Sequence, residues 1–232
     1  MNIVQPYAKI IDPPAHRPEA GLDLLRKIEW CARISHGAEE KQTSDSWRRF
    51  LQAVVIEHGD WSVVEHASAT VDFLVDRGIT HELVRHRLFS FTQSSTRFIN
   101  YAKDGRPPEF IEPPGLSDDA RRAANGEQVE FSTRQQWRHA VSTAESMYKQ
   151  LISLSPQIAR SVFPNALASR IAMTGNLRSW RHLLIMRTTK ETHPQMREVT
   201  IPLLDEFKAK FPLLFDDLEP GARQIDNLRK PR

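Results

Sequence analysis

The apolar positions of this 232-residue chain change their period several times, and each change marks a predicted element. Residues 3–11 read as a first strand, closed by Pro13-Pro14. Leu24, Leu25, Ile28, Cys31 and Ala32 recur at helical spacing and predict a helix over 20–34. After a polar stretch, 35–43, one stripe carries Trp47, Phe50, Leu51, Val54, Val55 and His58, a second helix that stops at Gly59. The period then drops to two. Ala67, Ala69, Val71, Phe73 and Val75 alternate with Ser68, Thr70, Asp72, Leu74 and Asp76, which describes a strand with one buried face.

Gly78 turns the chain into a short helix, 79–87, and 88–101 reads as extended. Pro107, Pro108, Pro113 and Pro114 mark an exposed loop over 102–116, and 115–130 is strongly polar. The whole of 102–130 reads as a variable loop. Trp137, Ala140, Val141, Ala144, Met147, Tyr148, Leu151 and Ile152 predict a long amphipathic helix. A short helix at 156–162 and a strand at 166–174 follow. Asn176 is placed to cap a helix to about Arg187, and Pro194 opens a last long helix with Ile201, Leu204, Phe207 and Phe211 on its stripe. Residues 217–232 read as a C-terminal tail. With no repeats and no linker composition, the expectation is one α+β domain spanning 1–232.

Composition narrows the function classes. Lys and Arg total 32 against 29 Asp and Glu, a formal net charge of +3, too balanced for a protein held on nucleic acid by general electrostatics. The single cysteine, Cys31, excludes an intrachain disulfide and a cysteine zinc site, and its helical stripe makes it a core thiol rather than a nucleophile. Uninterrupted aliphatic runs reach four residues, such as Leu183 to Met186, far short of a membrane span. Residues 1–14 hold no apolar run resembling a signal peptide. The expectation is a cytoplasmic protein bound to neither membrane nor nucleic acid.

The densest chemistry lies at Arg85-His86-Arg87. Clustered cations repel one another, and a chain tolerates them on a solvated helix end or beneath an anion. Behind them come Ser90, Thr92, Gln93, Ser94, Ser95, Thr96 and Arg97, hydroxyls and an amide suited to phosphate and base edges. The segment therefore reads as a polyanion site. His81-Glu82 and His86 resemble a zinc-protease motif, but the histidines stand at i and i+5 where i and i+4 are needed, so no metal is expected. Arg178 and His182 share a helix face behind Asn176. Arg187 closes its apolar run either as a snorkelling surface residue or as a desolvated guanidinium beside an acidic ligand group. Neither a Rossmann fingerprint nor a P-loop occurs.

Arg85-His86-Arg87, seven residues and then Ser95 resembles the signature of the flavin-dependent thymidylate synthases. Trp61-Ser62-Val63-Val64-Glu65-His66 precedes it as in that family. Ala159-Arg160-Ser161-Val162-Phe163-Pro164, Thr174-Gly175-Asn176-Leu177-Arg178-Ser179 and Leu184-Ile185-Met186-Arg187 follow in the family's order. The resemblance spans about residues 1–215. It implies a mixed, mainly antiparallel sheet flanked by long helices, like that of the thymidylate synthase-complementing proteins. It also implies methylation of dUMP at C5, with methylenetetrahydrofolate as carbon donor, FAD as hydride carrier and NADPH as reductant. Classical thymidylate synthases attack the ring with a cysteine, which this family does without.

Residue by residue, the resemblance places Ser62, Arg85, His86, Arg87, Leu88, Gln93, Asn176, Leu177, Arg178 and His182 against FAD, with Glu65 and His66 nearby. It places Glu82, Leu83, Val84, Arg85, Gln93, Ser94, Ser95, Thr96, Arg97 and Arg160 against dUMP. Arg187 falls at the position that activates the pyrimidine by favouring its ionised N3. The family is a homotetramer with active sites between subunits. Asp60, Glu82, Gln93 and His182 depart from its commoner His, Gln, Glu and Asn, and two extra residues separate Arg187 from His193. Three competing readings remain: a related UMP methylase, a flavin- or nucleotide-binding protein without turnover, and a nucleic-acid module stacking bases on the aromatics at 89, 91, 98 and 101.

Overall fold

The computed structural model describes residues 1–103, 105, 107–119 and 131–221. It is an α+β protein with a mixed, mainly antiparallel set of strands and long helices. The chain divides into two compact units. One gathers Met1–Pro6, Leu74–Leu83 and Gln93–Ile171; the other gathers Tyr7–Phe73, Val84–Thr92 and the chain from Ala172 onward. Neither is a contiguous stretch of sequence, which is why no linker marks a boundary.

The predicted first strand is two strands, because Pro6 lies between them and has no N–H for a ladder. β1 (Asn2–Ile3) pairs in parallel with β5 (Glu109–Phe110), while β2 (Tyr7–Asp12) opens a four-stranded sheet. The order in that sheet is β2, β3 (Ser68–Asp76), β6 (Ala168–Asn176), β4 (Phe89–Gln93). Ala69, Val71, Phe73 and Val75 of β3 are buried as the alternation predicted, but Asp72 and Asp76 on the opposite face are buried as well, so the strand is not covered on one face alone.

In the larger unit, α1 (Glu19–Ile34) buries Leu25, Ile28 and Ala32 on the expected stripe. Its Gly21 permits a close approach, since a Cβ there would stand 2.4 Å from the Lys210 carbonyl oxygen of the last helix. α2 (Ser46–Leu51) widens into a π-helical turn over Gln52–Glu57, and the chain reverses at Gly59 with φ +83. α6 (Leu177–Arg187) starts where expected, the Asn176 side chain accepting from the Ser179 N–H at 2.8 Å. α7 (Pro194–Lys210) begins with Pro194 in its first turn. Phe73, Trp180, Phe207, Phe211 and Phe215 form a buried aromatic cluster, and the Trp180 indole N–H donates to the Ala69 carbonyl at 2.9 Å.

In the smaller unit, α3 (Arg77–Leu83) is shorter than predicted and stops before the basic triplet. Its buried stripe, Ile79 and Leu83, runs out there, so Arg85-His86-Arg87 lies in the turn between α3 and β4 rather than on a helix. Only β4 is extended within 88–101. The proline-rich stretch is not wholly an exposed loop. Pro108, Phe110 and Ile111 are buried, and the Ile111 N–H donates to the Ala166 carbonyl at 2.9 Å. Residues 120–130 of the predicted variable loop lie outside the described residues. α4 (Thr133–Leu151) opens on a capping box between Ser132 and Gln135, a turn earlier than its apolar stripe suggested. α5 (Pro156–Ala159) and the 3-10 turn Arg160–Val162 replace the single predicted helix.

No helix among the described residues is long and apolar enough to cross a membrane.

Candidate functional site

A cavity of about 1360 Å³ opens within the larger unit. Segments distant in sequence line it: the turn Arg85 to Phe89, the exposed face of α6 and the 3-10 turn Trp61–His66, with Ile56, Glu57 and Asp217. α6 reaches it because its opposite face is committed to the core. Leu177, Trp180, Leu183 and Leu184 are fully buried, which turns Arg178, Arg181, His182, Ile185 and Met186 outward.

Five guanidiniums line this space, from Arg85, Arg87, Arg178, Arg181 and Arg187. Arg178 pairs with Glu65 at 2.6 Å, and Arg181 pairs with Asp217 while its guanidinium lies 4.4 Å from the Trp61 ring centroid. Arg85 and Arg87 are exposed and form no ion pair among the described residues. Five guanidiniums against the carboxylates of Glu57, Glu65 and Asp217 leave the cavity with surplus positive charge, the electrostatic form of an anion site.

His86 shows the site's other character. Its Nε2 accepts from the Arg187 Nε–H at 3.0 Å, and its ring meets Phe89 edge-on at 6.4 Å. Burial, then the charge of Arg187 and the proximity of His182, lower its pKa from the ordinary 6.5 to about 4. The imidazole is therefore neutral at physiological pH, and its acceptor nitrogen holds the arginine. A depressed pKa means that the unfolded chain takes up a proton before the folded one does. The stability supplied by neutral His86 is complete above about 6.5 and is lost as pH falls toward about 4. An NMR titration of the His86 C2 proton, assigned by its absence in His86→Gln, is expected to show this low pKa. In Arg187→Ala the value rises only part of the way to 6.5, because burial, the larger cause, remains.

The residues expected from sequence to meet flavin or nucleotide fall in both units, and Arg85 and Gln93, which belong to both sets, fall in different ones. Arg85, His86, Arg87, Leu88, Asn176, Arg178, His182 and Arg187 line the cavity, as does Glu65. Ser62 and His66 sit on the same turn as Trp61 without lining it. The Leu177 side chain is fully buried in the core, and its N–H donates to the Ala67 carbonyl at 2.9 Å.

Gln93, Ser94, Ser95, Thr96, Arg97 and Arg160 belong to the smaller unit. There the Arg160 guanidinium lies 3.4 Å from the Thr96 hydroxyl, and Ser94 N–H donates to the Arg170 carbonyl at 2.8 Å. Arg97 is exposed over the Phe98 ring. Glu82 is half-buried and Val84 exposed, whereas Leu83 is fully buried. Its apolar side chain belongs to the core stripe of α3.

The family model for thymidylate synthase complementing protein matches residues 22–213. The chain belongs to this family.

Members of it are similar along most of their length. A flavin-dependent thymidylate synthase of Corynebacterium diphtheriae is 34% identical over 219 residues, which cover 88% of this chain and 82% of its own. One from Mycobacterium tuberculosis is 34% identical over 172 residues, 71% of this chain and 67% of its own. Two solved structures share the fold. The UMP/dUMP methylase PolB from Streptomyces cacaoi, bound with 5-Br dUMP, superposes with a TM-score of 0.68 at 20% identity, covering 93% of this chain and 95% of that one. Thymidylate Synthase X from Helicobacter pylori, with FAD and dUMP, gives 0.67 at 17% identity over 92% and 98%. The protein is thus an enzyme of the flavin-dependent thymidylate synthase family, a family of transferases that make dTMP.

Sequence reading missed Arg181 and Asp217 as parts of this family member's cavity. Arg181 stands three residues from Arg178 and four from Ile185, so the helical face shared by these residues was a usable signal. Asp217 carried none. It falls in the segment read as a tail, yet Leu218 is buried and the Gly221 N–H donates to the Thr188 carbonyl at 2.9 Å. The tail reading is thus corrected as far as Gly221; 222–232 lie outside the described residues.

Proposed function

We propose that this enzyme methylates dUMP at C5 to give dTMP, taking the carbon from methylenetetrahydrofolate, with FAD as its flavin and NADPH as reductant. The observation that carries the reading is the pairing of Arg187 with a neutral His86 on the wall of an arginine-lined cavity.

The residues present fit an FAD-sized anionic guest. Exposed Arg85 and Arg87 answer a diphosphate, and the α6 N-terminus adds its backbone dipole next to Arg178. When bound, the flavin supplies the hydride that completes the methyl group. The chain's own contribution is electrostatic. Arg187 has its Nε–H anchored on His86, and a guanidinium so oriented beside pyrimidine N3 and O4 stabilises the ring anion and raises the nucleophilicity of C5. Cys31 does not line the cavity, and the proposed route assigns it no step. Gln93 to Arg97 and Arg160 are proposed as the nucleotide's contacts, within a homotetramer whose sites combine subunits.

The reading predicts a yellow protein as purified. Arg87→Ala is expected to release flavin on gel filtration, seen as loss of the visible absorbance band, while its thermal unfolding midpoint stays near that of the parent. Full flavin retention in that variant would remove Arg87 from the site. Turnover of dUMP and UMP measured side by side separates the proposed activity from UMP methylation. No consumption of either, with reduced flavin and methylenetetrahydrofolate supplied, would leave only a binding protein.

A further inference from the structure

Two buried hydroxyls behind the proposed nucleotide strand have no role in the account so far. Thr80 is fully buried and Ser169 is 2% exposed. The Gln93 amide nitrogen lies 3.1 Å from Thr80 Oγ1 and 2.9 Å from Ser169 Oγ. The direction of these bonds follows from donor counting. A threonine hydroxyl has one hydrogen, and that of Thr80 is committed to the Arg77 carbonyl at 2.9 Å. Thr80 Oγ1 is therefore an acceptor toward Gln93, and the atom facing it must be the amide nitrogen. The flip ambiguity of a glutamine is removed by its neighbour. With both amide hydrogens directed at Thr80 and Ser169, the Gln93 side chain offers its carbonyl oxygen, which accepts no hydrogen bond among the described residues.

Ser169 is constrained in the same way. Its oxygen accepts from Gln93, and a buried O–H left without an acceptor is costly. The Ser94 hydroxyl lies 3.2 Å away and already accepts from the Arg170 N–H at 3.1 Å. Ser169 donating to Ser94 satisfies the buried group and leaves the Ser94 hydrogen to point elsewhere. The network thus presents an acceptor at Gln93 and a donor at Ser94.

We propose that Thr80 and Ser169 are positioning residues that hold the Gln93 amide with its carbonyl toward the nucleotide, where it accepts from the sugar hydroxyl. The inference rests on dUMP being the ligand, as argued above. That nucleotide carries two neutral donors, the ring N3–H and the single sugar hydroxyl. Arg187 is itself a donor and is assigned to N3, so the hydroxyl is the group that needs an acceptor. Preset polarity also discriminates sharply, because a ligand lacking the hydroxyl leaves the carbonyl unpaired.

The test is a binding cycle on the flavin-loaded protein, with dUMP and 2′,3′-dideoxyuridine monophosphate titrated by calorimetry. Thr80→Val is expected to weaken dUMP roughly tenfold, the loss that follows one misdirected hydrogen bond. The dideoxy analogue binds the parent enzyme about tenfold more weakly than dUMP, and Thr80→Val does not weaken it further. Thr80→Ser keeps the hydroxyl and restores dUMP affinity. Ser169→Ala repeats the Thr80→Val pattern and serves as the second arm if the valine variant unfolds. Equal weakening of both nucleotides by the valine or alanine variant, or dUMP affinity unchanged in either, overturns the inference while the proposed activity stands. A flavin-loaded parent that binds neither nucleotide removes the activity reading, and this inference with it.

Discussion

Arg187→Ala is expected to lower kcat by roughly a hundred- to a thousandfold, the usual consequence of removing one preorganised donor from a developing negative charge. Flavin should stay bound, because Arg85, Arg87 and Arg178 remain in the cavity. The variant also releases His86 Nε2 from its 3.0 Å hydrogen bond. A lysine at the same position tests geometry separately from charge. It restores a cation but not the planar fork, so recovery should be small. Single-turnover kinetics with prereduced flavin would isolate the step. Undiminished turnover in Arg187→Ala would show that the pyrimidine is activated by some other group, and the proposed mechanism would have to be abandoned.

Gly175→Ala should have the largest effect on stability. A Cβ at this position would stand 2.3 Å and 2.4 Å from two carbons of the Phe89 ring. Real carbon atoms do not approach so closely, so the ring or the strand must move. Phe89 has little room, since it packs edge-on against Trp180 at 4.8 Å, and Trp180 is fully buried. Overpacking of this kind costs about 1–3 kcal/mol. A lower thermal midpoint is therefore expected. Phe89 also lines the cavity and touches His86, so flavin affinity should fall together with stability. Phe89→Leu in the Gly175→Ala background makes room for the methyl group and should recover part of the midpoint. An unchanged midpoint in the single variant would mean that the close packing of Phe89 on β6 is not needed.

Local order was legible in the sequence wherever one residue type has one physical use. Asn176 read as a cap and is one; Pro194 read as a first-turn proline and is one. The alternation of β3 and the stripe of α1 follow from which side chains avoid water. The basic triplet read as an anion site only together with the hydroxyls, the amide and Arg97 that follow it, and Arg85, His86 and Arg87 line a cavity.

Contacts between distant segments were not legible. Nothing in the residues around Arg187 announces that its Nε–H will meet an imidazole 101 positions away. Nothing near Asp217 announces Arg181, and no local pattern reveals that Thr80 and Ser169 converge on one amide.

By itself the sequence determined most of the helices and strands and the chemical inventory, though not β5, the break at Pro6 or the end of α3, because backbone propensity and hydrophobic period act over a few neighbouring residues. The tertiary structure alone decided which face of α6 meets the basic triplet, which leucine side chains are buried, and which hydrogen each hydroxyl has left to give. Those outcomes depend on distances between segments far apart in the chain, and hydrogen bonding and charge act only at those distances.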